Sequence, residues 1–147
     1  LGFNLGLSLL DSEFTEDAVL TNGLTNKNEL VPEGSVIPFA PETTVTAGIQ
    51  YDFPLGDMLL TPRMQVAYVG EQLATPFPNV ATTVPSHTVA DMKLNLQVND
   101  NWNVEGFVDN VFDETYIATQ LQDASSAQGG MIFGAPRHYG IKARYSF

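Results

Sequence analysis

Apolar and polar residues alternate along six segments of the chain, and the last segment shows the pattern most clearly. Between residues 137 and 147 the apolar side chains occupy every second position: Tyr139, Ile141, Ala143, Tyr145 and Phe147. Successive side chains of a strand point to opposite faces. The pattern therefore predicts strands with one apolar and one polar face, at residues 1–10, 43–53, 58–70, 88–98, 102–111 and 137–147.

Short and long connections join these predicted strands in turn. Residues 54–57 and 99–101 are short and rich in turn formers, which suits hairpins, whereas residues 11–42, 71–87 and 112–136 are long. Short turns at one end and long loops at the other are typical of an outer-membrane barrel. Eleven residues tilted by about 45° also cover the roughly 25 Å of its apolar band.

Charged residues avoid the apolar faces of the predicted strands. Four of the six basic residues and four acidic residues fall on polar strand positions, and none falls on an apolar position. An Arg or Lys facing lipid at the membrane midplane would cost about 2–4 kcal/mol. Aromatic residues gather at the strand ends, like the girdles of membrane barrels: Phe3, Tyr51, Phe53, Trp102, Tyr145 and Phe147 near the short turns, and Tyr68 and Tyr139 near the long loops. Together these features favour an all-β, antiparallel, up-and-down transmembrane β-barrel over a soluble β-sandwich binding module.

Composition excludes several functional classes. The net charge of −11 argues against nucleic-acid binding, which needs basic clusters. There is no cysteine, no apolar run of about 18 residues, no pair of ligands at zinc-binding spacing and no nucleophile or phosphate-loop motif. We therefore expect no enzyme, no cofactor and no metal site. The chain starts at Leu1, within a predicted strand and without a basic-then-apolar leader, so we expect a fragment or a processed product.

Three stretches carry a resemblance to a known family. Asn110-Val-Phe-Asp-Glu-Thr-Tyr116 resembles the N-L-F-D-x-x-Y segment near the end of TonB-dependent outer-membrane receptors. Gly134-Ala-Pro-Arg-His-Tyr-Gly140, with the strand that follows it, resembles their last strand. Pro41-Glu-Thr-Thr-Val-Thr-Ala-Gly-Ile-Gln-Tyr51 resembles an earlier strand of the same region. This similarity covers nearly the whole chain.

The resemblance implies that residues 1–147 are the last six strands of a barrel of about 22 strands, without the plug domain. It implies TonB-coupled uptake of a scarce nutrient, such as an iron–siderophore, cobalamin or a saccharide, across the outer membrane of a Gram-negative bacterium. The expected partners are the remaining barrel strands and the plug, the TonB energy-coupling complex through an absent N-terminal segment, the barrel-assembly machinery and outer-membrane lipid. The C-terminus would be periplasmic. An alternative is a structural or adhesive barrel that displays long surface loops.

Two sets of residues are candidate functional sites. Face parity places Lys93 diagonally between Glu105 and Asp109, with Asp91 opposite Asp109, in a polar patch facing the lumen. Such a patch holds the plug or steers solute, or it only balances charge along a wet wall. By resemblance, Gly140, Tyr145 and Phe147 form a C-terminal assembly signal, although Phe147 also fits a girdle. The long loops carry acidic residues that either bind cations or only solubilise the loops: Asp11, Glu13, Glu16, Asp17, Glu29, Glu33, Glu42, Glu71, Asp113, Glu114 and Asp123.

Overall fold

The computed structural model of the chain describes residues 1–77, 82–123 and 128–147, apart from the side chains of Asp123 and Gln128. These residues form strands joined by turns and loops. In chain order the strands are β1 (Gly2–Leu9), β2 (Ala18–Asn22), β3 (Lys27–Val31), β4 (Thr43–Gln50), β5 (Phe53–Leu55), β6 (Met58–Val69), β7 (Gln72–Leu73), β8 (Thr83–Val84), β9 (His87–Gln97), β10 (Trp102–Asp109), β11 (Ile117–Asp123), β12 (Gln128–Phe133) and β13 (His138–Tyr145).

One antiparallel sheet organises the chain, with the strand order β1-β4-β6-β9-β10-β13 and with β5 also paired to β6. The registers keep the predicted faces, because Met64 pairs with Ile49 and Met92 on the apolar side and Val104 pairs with Leu96. Consecutive long strands are neighbours, as in an up-and-down topology. The two short turns lie at one end of the sheet, and the three long connections lie at the other.

Sequence chemistry explains both short turns. Leu55 pairs with Met58 around Gly56, whose φ is +65°, and a glycine in this first central position suits a type II′ hairpin. In the second turn the Asn99 side chain accepts hydrogen bonds from the backbone N–H groups of Asn101 and Trp102. Such side-chain bonding to nearby backbone is typical of Asn in turns.

The predicted strand at residues 43–53 is interrupted in the structure. It ends as β4 at Gln50 and resumes as β5 at Phe53. The interruption faces Pro62 of β6, whose carbonyl accepts a hydrogen bond from the Tyr51 N–H at 3.2 Å. Because proline has no N–H to return, the ladder loses a bond there. The prediction of one continuous strand was therefore wrong at this point.

The long connections contain strands that the hydrophobic pattern did not predict. β2 pairs with β3, β7 with β8, and β11 with β12, each pair within one connection. The buried residues gather mainly at this end of the molecule rather than in the sheet: Asn22, Val31, Ala74, Thr82, Val84, Ala90, Asn110 and Gln120. The connections are thus small packed structures, which gives their backbone groups partners.

The apolar face of the sheet is uncovered. Phe3 is 84% exposed, Ile141 is 80% exposed and Leu94 is 48% exposed. Within the described residues no second sheet packs on this face, so the chain does not form the alternative β-sandwich. The same residues contain no helix long and apolar enough to cross a membrane.

Candidate functional site: the polar face of the sheet

The polar face consists of rows of side chains that run across the strands. The row nearest the long connections contains Gln65, Asp91, Asp109 and His138, and we call it the upper row. The middle row contains Arg63, Lys93, Phe107 and Gly140, and the lower row contains Thr61, Asn95, Glu105 and Lys142. These rows follow directly from the register, because directly opposed residues share a face.

Two of the acids in the predicted patch contact basic side chains of β13. Lys142 Nζ lies 3.4 Å from Glu105 Oε1, and His138 Nε2 lies 3.0 Å from Asp109 Oδ2. Both partners are direct cross-strand neighbours of the acids. Opposed Cβ atoms are about 4.5–5.5 Å apart, whereas diagonal neighbours are about 7–8 Å apart. Closer cross-strand partners thus contact both acids, Lys93 forms no ion pair among the described residues, and the role of the patch stays a prediction.

Asp91 also binds the backbone at the end of a strand. The ladder between β9 and β10 ends at the pair of Met92 and Val108, and Asp91 Oδ1 then accepts a hydrogen bond from the Asn110 N–H at 2.9 Å. Asp91 thus stabilises the end of β10, where the chain leaves the sheet.

The middle row contains two cations in direct opposition. Arg63 pairs with Lys93 in the register of β6 and β9, and both side chains are exposed on the polar face. Among the described residues neither forms an ion pair. Arg63 Nη2 donates a hydrogen bond to Gln65 Oε1 at 3.1 Å, and this neutral partner does not compensate the charge.

An aromatic ring fills the rest of the middle row. The Phe107 ring lies over Gly140, where an added Cβ would approach ring atoms to 2.8 Å. The Lys142 Nζ lies 4.6 Å from the centre of the same ring, within the range of a cation–π interaction. Gly140 therefore has a packing role here, besides the assembly role that the resemblance implies.

Asn110 joins the end of β10 to the segment that leads into β13. It is 3% exposed, and its Nδ2 donates to the Glu114 and Ala135 carbonyls at 2.9 and 3.1 Å. Its Oδ1 accepts a hydrogen bond from the Glu114 N–H at 2.9 Å. Asp113 Oδ1 accepts a further bond from the Arg137 N–H. The Asn110–Tyr116 motif thus forms a hydrogen-bond network, called here the Asn110 network, that anchors the last strand.

The C-terminal residues of the predicted assembly signal lie at the opposite end of the sheet from the Asn110 network. The Tyr145 ring packs against Trp102 with 5.0 Å between ring centres, and Phe147 lies 6.1 Å from Tyr145. Asn101 also bonds to the backbone of Ser146, through Nδ2 to the carbonyl and through its own carbonyl to the N–H. The turn between β9 and β10 therefore holds the end of the chain and clusters its aromatic residues.

The acidic residues of the connections do not converge on a metal site in the described ranges. No group of three or more potential ligands there is arranged to hold a metal ion. Glu29 instead accepts bonds from Thr25 Oγ1 at 2.5 Å and Asn22 Nδ2 at 3.1 Å, and these two hydrogen bonds lower the pKa of its carboxyl below 4.5. The side chain of Asp123 lies outside the described residues.

The fold and the sorted faces define part of the wall of an outer-membrane-type barrel. A family model described as "TonB dependent receptor-like, beta-barrel" matches residues 1–111, which is more than half of the chain. The chain therefore belongs to this family, and the predicted family and fold class are confirmed.

Solved structures of receptors share this fold. The ferric yersiniabactin uptake receptor FyuA from Yersinia pestis is 22% identical with a TM-score of 0.76, and the alignment covers 99% of this chain and 21% of FyuA. The siderophore receptor PiuA from Acinetobacter baumannii is 21% identical with a TM-score of 0.73, over 96% of this chain and 18% of PiuA. The ferric-catecholate import receptor Fiu from E. coli K12 is 28% identical with a TM-score of 0.58, over 78% of this chain and 16% of Fiu. This chain spans about a fifth of the length of these receptors, none of which is described as an enzyme.

The predicted patch left out three side chains of the polar face. Lys142, His138 and Phe107 were assigned to this face, but not to the patch whose acids and Lys93 they neighbour. A signal was present, since Trp102 and Tyr145, both predicted girdle aromatics, are register partners in β10 and β13. Register along the remaining residues then brings Lys142 to Glu105 and His138 to Asp109.

Proposed function

We propose that this chain is the C-terminal barrel portion of an outer-membrane receptor that takes up a scarce nutrient in a TonB-coupled process. The family match over residues 1–111 carries the proposal. The uncovered apolar face of the sheet supports it, because lipid is the environment in which exposed leucine and phenylalanine side chains are stable. The polar face then lines the interior of the complete barrel.

The proposed cargo is an iron–siderophore, with cobalamin or a saccharide as the other candidates. The siderophore is favoured because FyuA, PiuA and Fiu are described as ferric yersiniabactin, siderophore and ferric-catecholate receptors. The cargo would bind at the end of the barrel that carries the long connections. Energy from the TonB complex, acting through the plug, would then release it inwards without covalent chemistry.

The proposed orientation puts the short turns and the C-terminus in the periplasm and the three long connections outside the cell. β1 and β13 are the edges of the sheet, and their unpaired backbone groups would be unfavourable in lipid. In the complete barrel β1 pairs with the strand before it, and β13 pairs with the first strand. The partners are thus the other barrel strands, the plug inside them and the lipid around them.

Gly140, Tyr145 and Phe147 are proposed to direct assembly by the barrel-assembly machinery. The exposed Phe147 ring supports this role, because it packs loosely beside Tyr145 and stays accessible. Deletion of Phe147 from the full-length receptor should lower the amount that reaches the cell surface, measured by surface labelling at matched expression. Phe39→Ala, in a long connection, is the control for loss of an exposed aromatic. Wild-type surface levels after the deletion would contradict the role.

Uptake by whole cells tests the proposed function. The full-length receptor would be expressed in a Gram-negative host without its own siderophore receptors and supplied with radioiron bound to catecholate, phenolate or hydroxamate chelators. Labelled cobalamin and maltodextrins test the other cargoes. Accumulation that stops when TonB is deleted supports the proposal. Surface display with no uptake of any cargo, together with adhesion that is lost when the β2–β3 or β11–β12 hairpin is removed, would favour the adhesive alternative.

A further inference from the structure

We infer that a groove on the apolar face of the sheet, centred on Gly106 and called here the Gly106 groove, binds an acyl chain of a membrane lipid. The inference rests on the proposed membrane position of the sheet. It goes beyond the lipid contact that every apolar position of a barrel wall makes, because it assigns one chain a preferred position. Two observations carry it: the shape of the surface around Gly106, and the lack of any reason within the chain for a glycine there.

The Gly106 groove lies where β10 has no side chain between two larger neighbours. Gly106 pairs with Leu94 of β9 on one side and with Ile141 of β13 on the other. The groove has a volume of about 690 Å³, and sites for small molecules usually have about 300–1,000 Å³. Lys93 and Phe107 border it, but strand alternation directs their side chains to the polar face. The apolar-face residues that line it around Gly106 are Pro62, Met92, Leu94, Val108, Tyr139 and Ile141.

The glycine at position 106 is not explained by packing or by backbone conformation. Five glycines lie in the strands of the large sheet, and an added Cβ would meet a neighbouring side chain at four of them: Gly2, Gly6, Gly48 and Gly140. A Cβ on Gly106 would meet nothing within 4 Å, and its φ is not positive. β10 also pairs without a register shift on both sides, which excludes a bulge. A glycine inside a strand often marks the close approach of a ligand.

The Gly106 groove lies between the two aromatic girdles. Gly106 is four residues from Trp102, which is about 13 Å along the strand. On the neighbouring strand Ile141 is two residues from Tyr139, which marks the other girdle. Girdle aromatics lie at the level of the lipid headgroups. The groove is therefore at the depth of the acyl chains.

An extended acyl chain fits the Gly106 groove better than a protein segment does. Two strand spacings separate the backbones of β9 and β13, which places them about 10 Å apart. An α-helix with its side chains is about 10–12 Å wide, so it cannot enter between Leu94 and Ile141. A strand with unpaired backbone groups is unstable in lipid. A chain of methylene groups needs no hydrogen-bond partner, and it reaches the groove directly because the surrounding apolar face is exposed.

Photo-labelling measures whether a chain prefers the groove. The full-length receptor is reconstituted in phosphatidylcholine vesicles that contain a phosphatidylcholine with a diazirine in one acyl chain, then irradiated and digested for mass spectrometry. The reference positions, Leu5 and Ile49, lie on the same face and are more exposed than Leu94, so exposure alone predicts less labelling at Leu94. Labelling at Met92 and Leu94 should instead exceed the reference by about threefold or more, which corresponds to a preference of about 0.7 kcal/mol.

A side chain added at position 106 should displace the lipid chain. Gly106→Leu fills the groove, so the labelling of β9 should fall to the reference level. Because the added Cβ meets no neighbour, this variant should fold, and urea unfolding in lipid checks that its stability is not reduced. Ala47→Leu is the matched control, since Ala47 lies on the same face between Leu5 and Val66 and outside the groove. It should leave the labelling of β9 unchanged.

Several results would overturn the inference. Labelling at Met92 and Leu94 no higher than the reference would show ordinary lipid contact without a preferred chain. Unchanged labelling of β9 in Gly106→Leu would show that the label does not come from a chain in the groove. A protein-sized adduct of benzoylphenylalanine placed at Met92, in outer-membrane fragments, would assign the groove to another membrane protein. Absence of labelling anywhere on the apolar face would refute the membrane position as well, which separates a failure of the proposed function from a failure of the groove alone.

Discussion

Asn110 offers the sharpest test of how the last strand is held. Its side chain makes three hydrogen bonds from a position that is 3% exposed, and its backbone φ is +52°. Asn110→Ala would leave the N–H and carbonyl of Glu114 and the carbonyl of Ala135 without these partners. At about 1 kcal/mol net for each bond, the loss is about 3 kcal/mol. Alanine in the left-handed region adds roughly 1 kcal/mol, so we expect about 4 kcal/mol in total.

Two further substitutions separate these contributions. Asn110→Gly removes the three bonds but tolerates the positive φ, so it should cost about 3 kcal/mol. Asn110→Asp keeps the acceptor for the Glu114 N–H but buries a carboxylate oxygen against the Glu114 and Ala135 carbonyls, so it should cost more than Asn110→Gly. Asn110→Gly should therefore be the least destabilised of the three variants.

Hydrogen exchange of the full-length receptor in detergent measures these effects locally. Peptides covering residues 110–116 report the opening free energy of the Asn110 network, and peptides from β1 and β4 serve as the internal reference. Protection from hydrogen exchange should fall in the Asn110 network and at the start of β13, where Arg137 and His138 enter the sheet. Wild-type protection in Asn110→Gly would refute the reasoning, since it would mean that the buried bonds contribute nothing.

The other predictions concern packing, membrane exposure and pH. Gly140→Ala should lower the free energy of unfolding by about 1–3 kcal/mol because its Cβ would approach the Phe107 ring to 2.8 Å, and Phe107→Ala in the same chain should relieve that clash in a double-mutant cycle by urea unfolding in lipid. Leu94→Arg on the apolar face should cost about 2–4 kcal/mol in the same assay, and an equal cost for Asn95→Arg on the polar face would contradict the assignment of the two faces. The lowered pKa of Glu29 means that its stabilisation is present above pH 4.5 and is lost as the pH falls through the folded-state pKa, so the β2–β3 hairpin should become more protease-sensitive in acid. Glu29→Gln should abolish that pH dependence, and an unchanged acid response in this variant would assign the effect to another group.

The two faces of the sheet were predictable because a strand has a side-chain period of two. Each residue from Tyr139 to Tyr145 could be assigned to a face without knowing its neighbours, and the register of β13 with β10 keeps those assignments. The hairpin registers of β9 with β10 were equally accessible, since a short turn links the strands and leaves few alternatives.

The hairpins within the long connections were not accessible in the same way. β2 and β3 are five residues each, and their exposed Val19 and Leu30 do not give a long alternating pattern. Their stability comes partly from contacts outside the pair, such as Gly23 lying against Gln122 of β11. Contacts between segments a hundred residues apart leave no local periodicity from which to predict them.

The sequence by itself determined the antiparallel all-β architecture, the separation of an apolar from a polar face, and the membership in a barrel family, because each depends on local alternation or on short motifs. Only the tertiary structure decided which charges meet. Glu105 and Lys142 are 37 residues apart in the chain, and they meet because β13 returns beside β10. The same kind of strand pairing puts Arg63 opposite Lys93 in a cleft that Asp91 and Asp109 also line, since the meeting of charges depends on distances across strands that no single segment encodes.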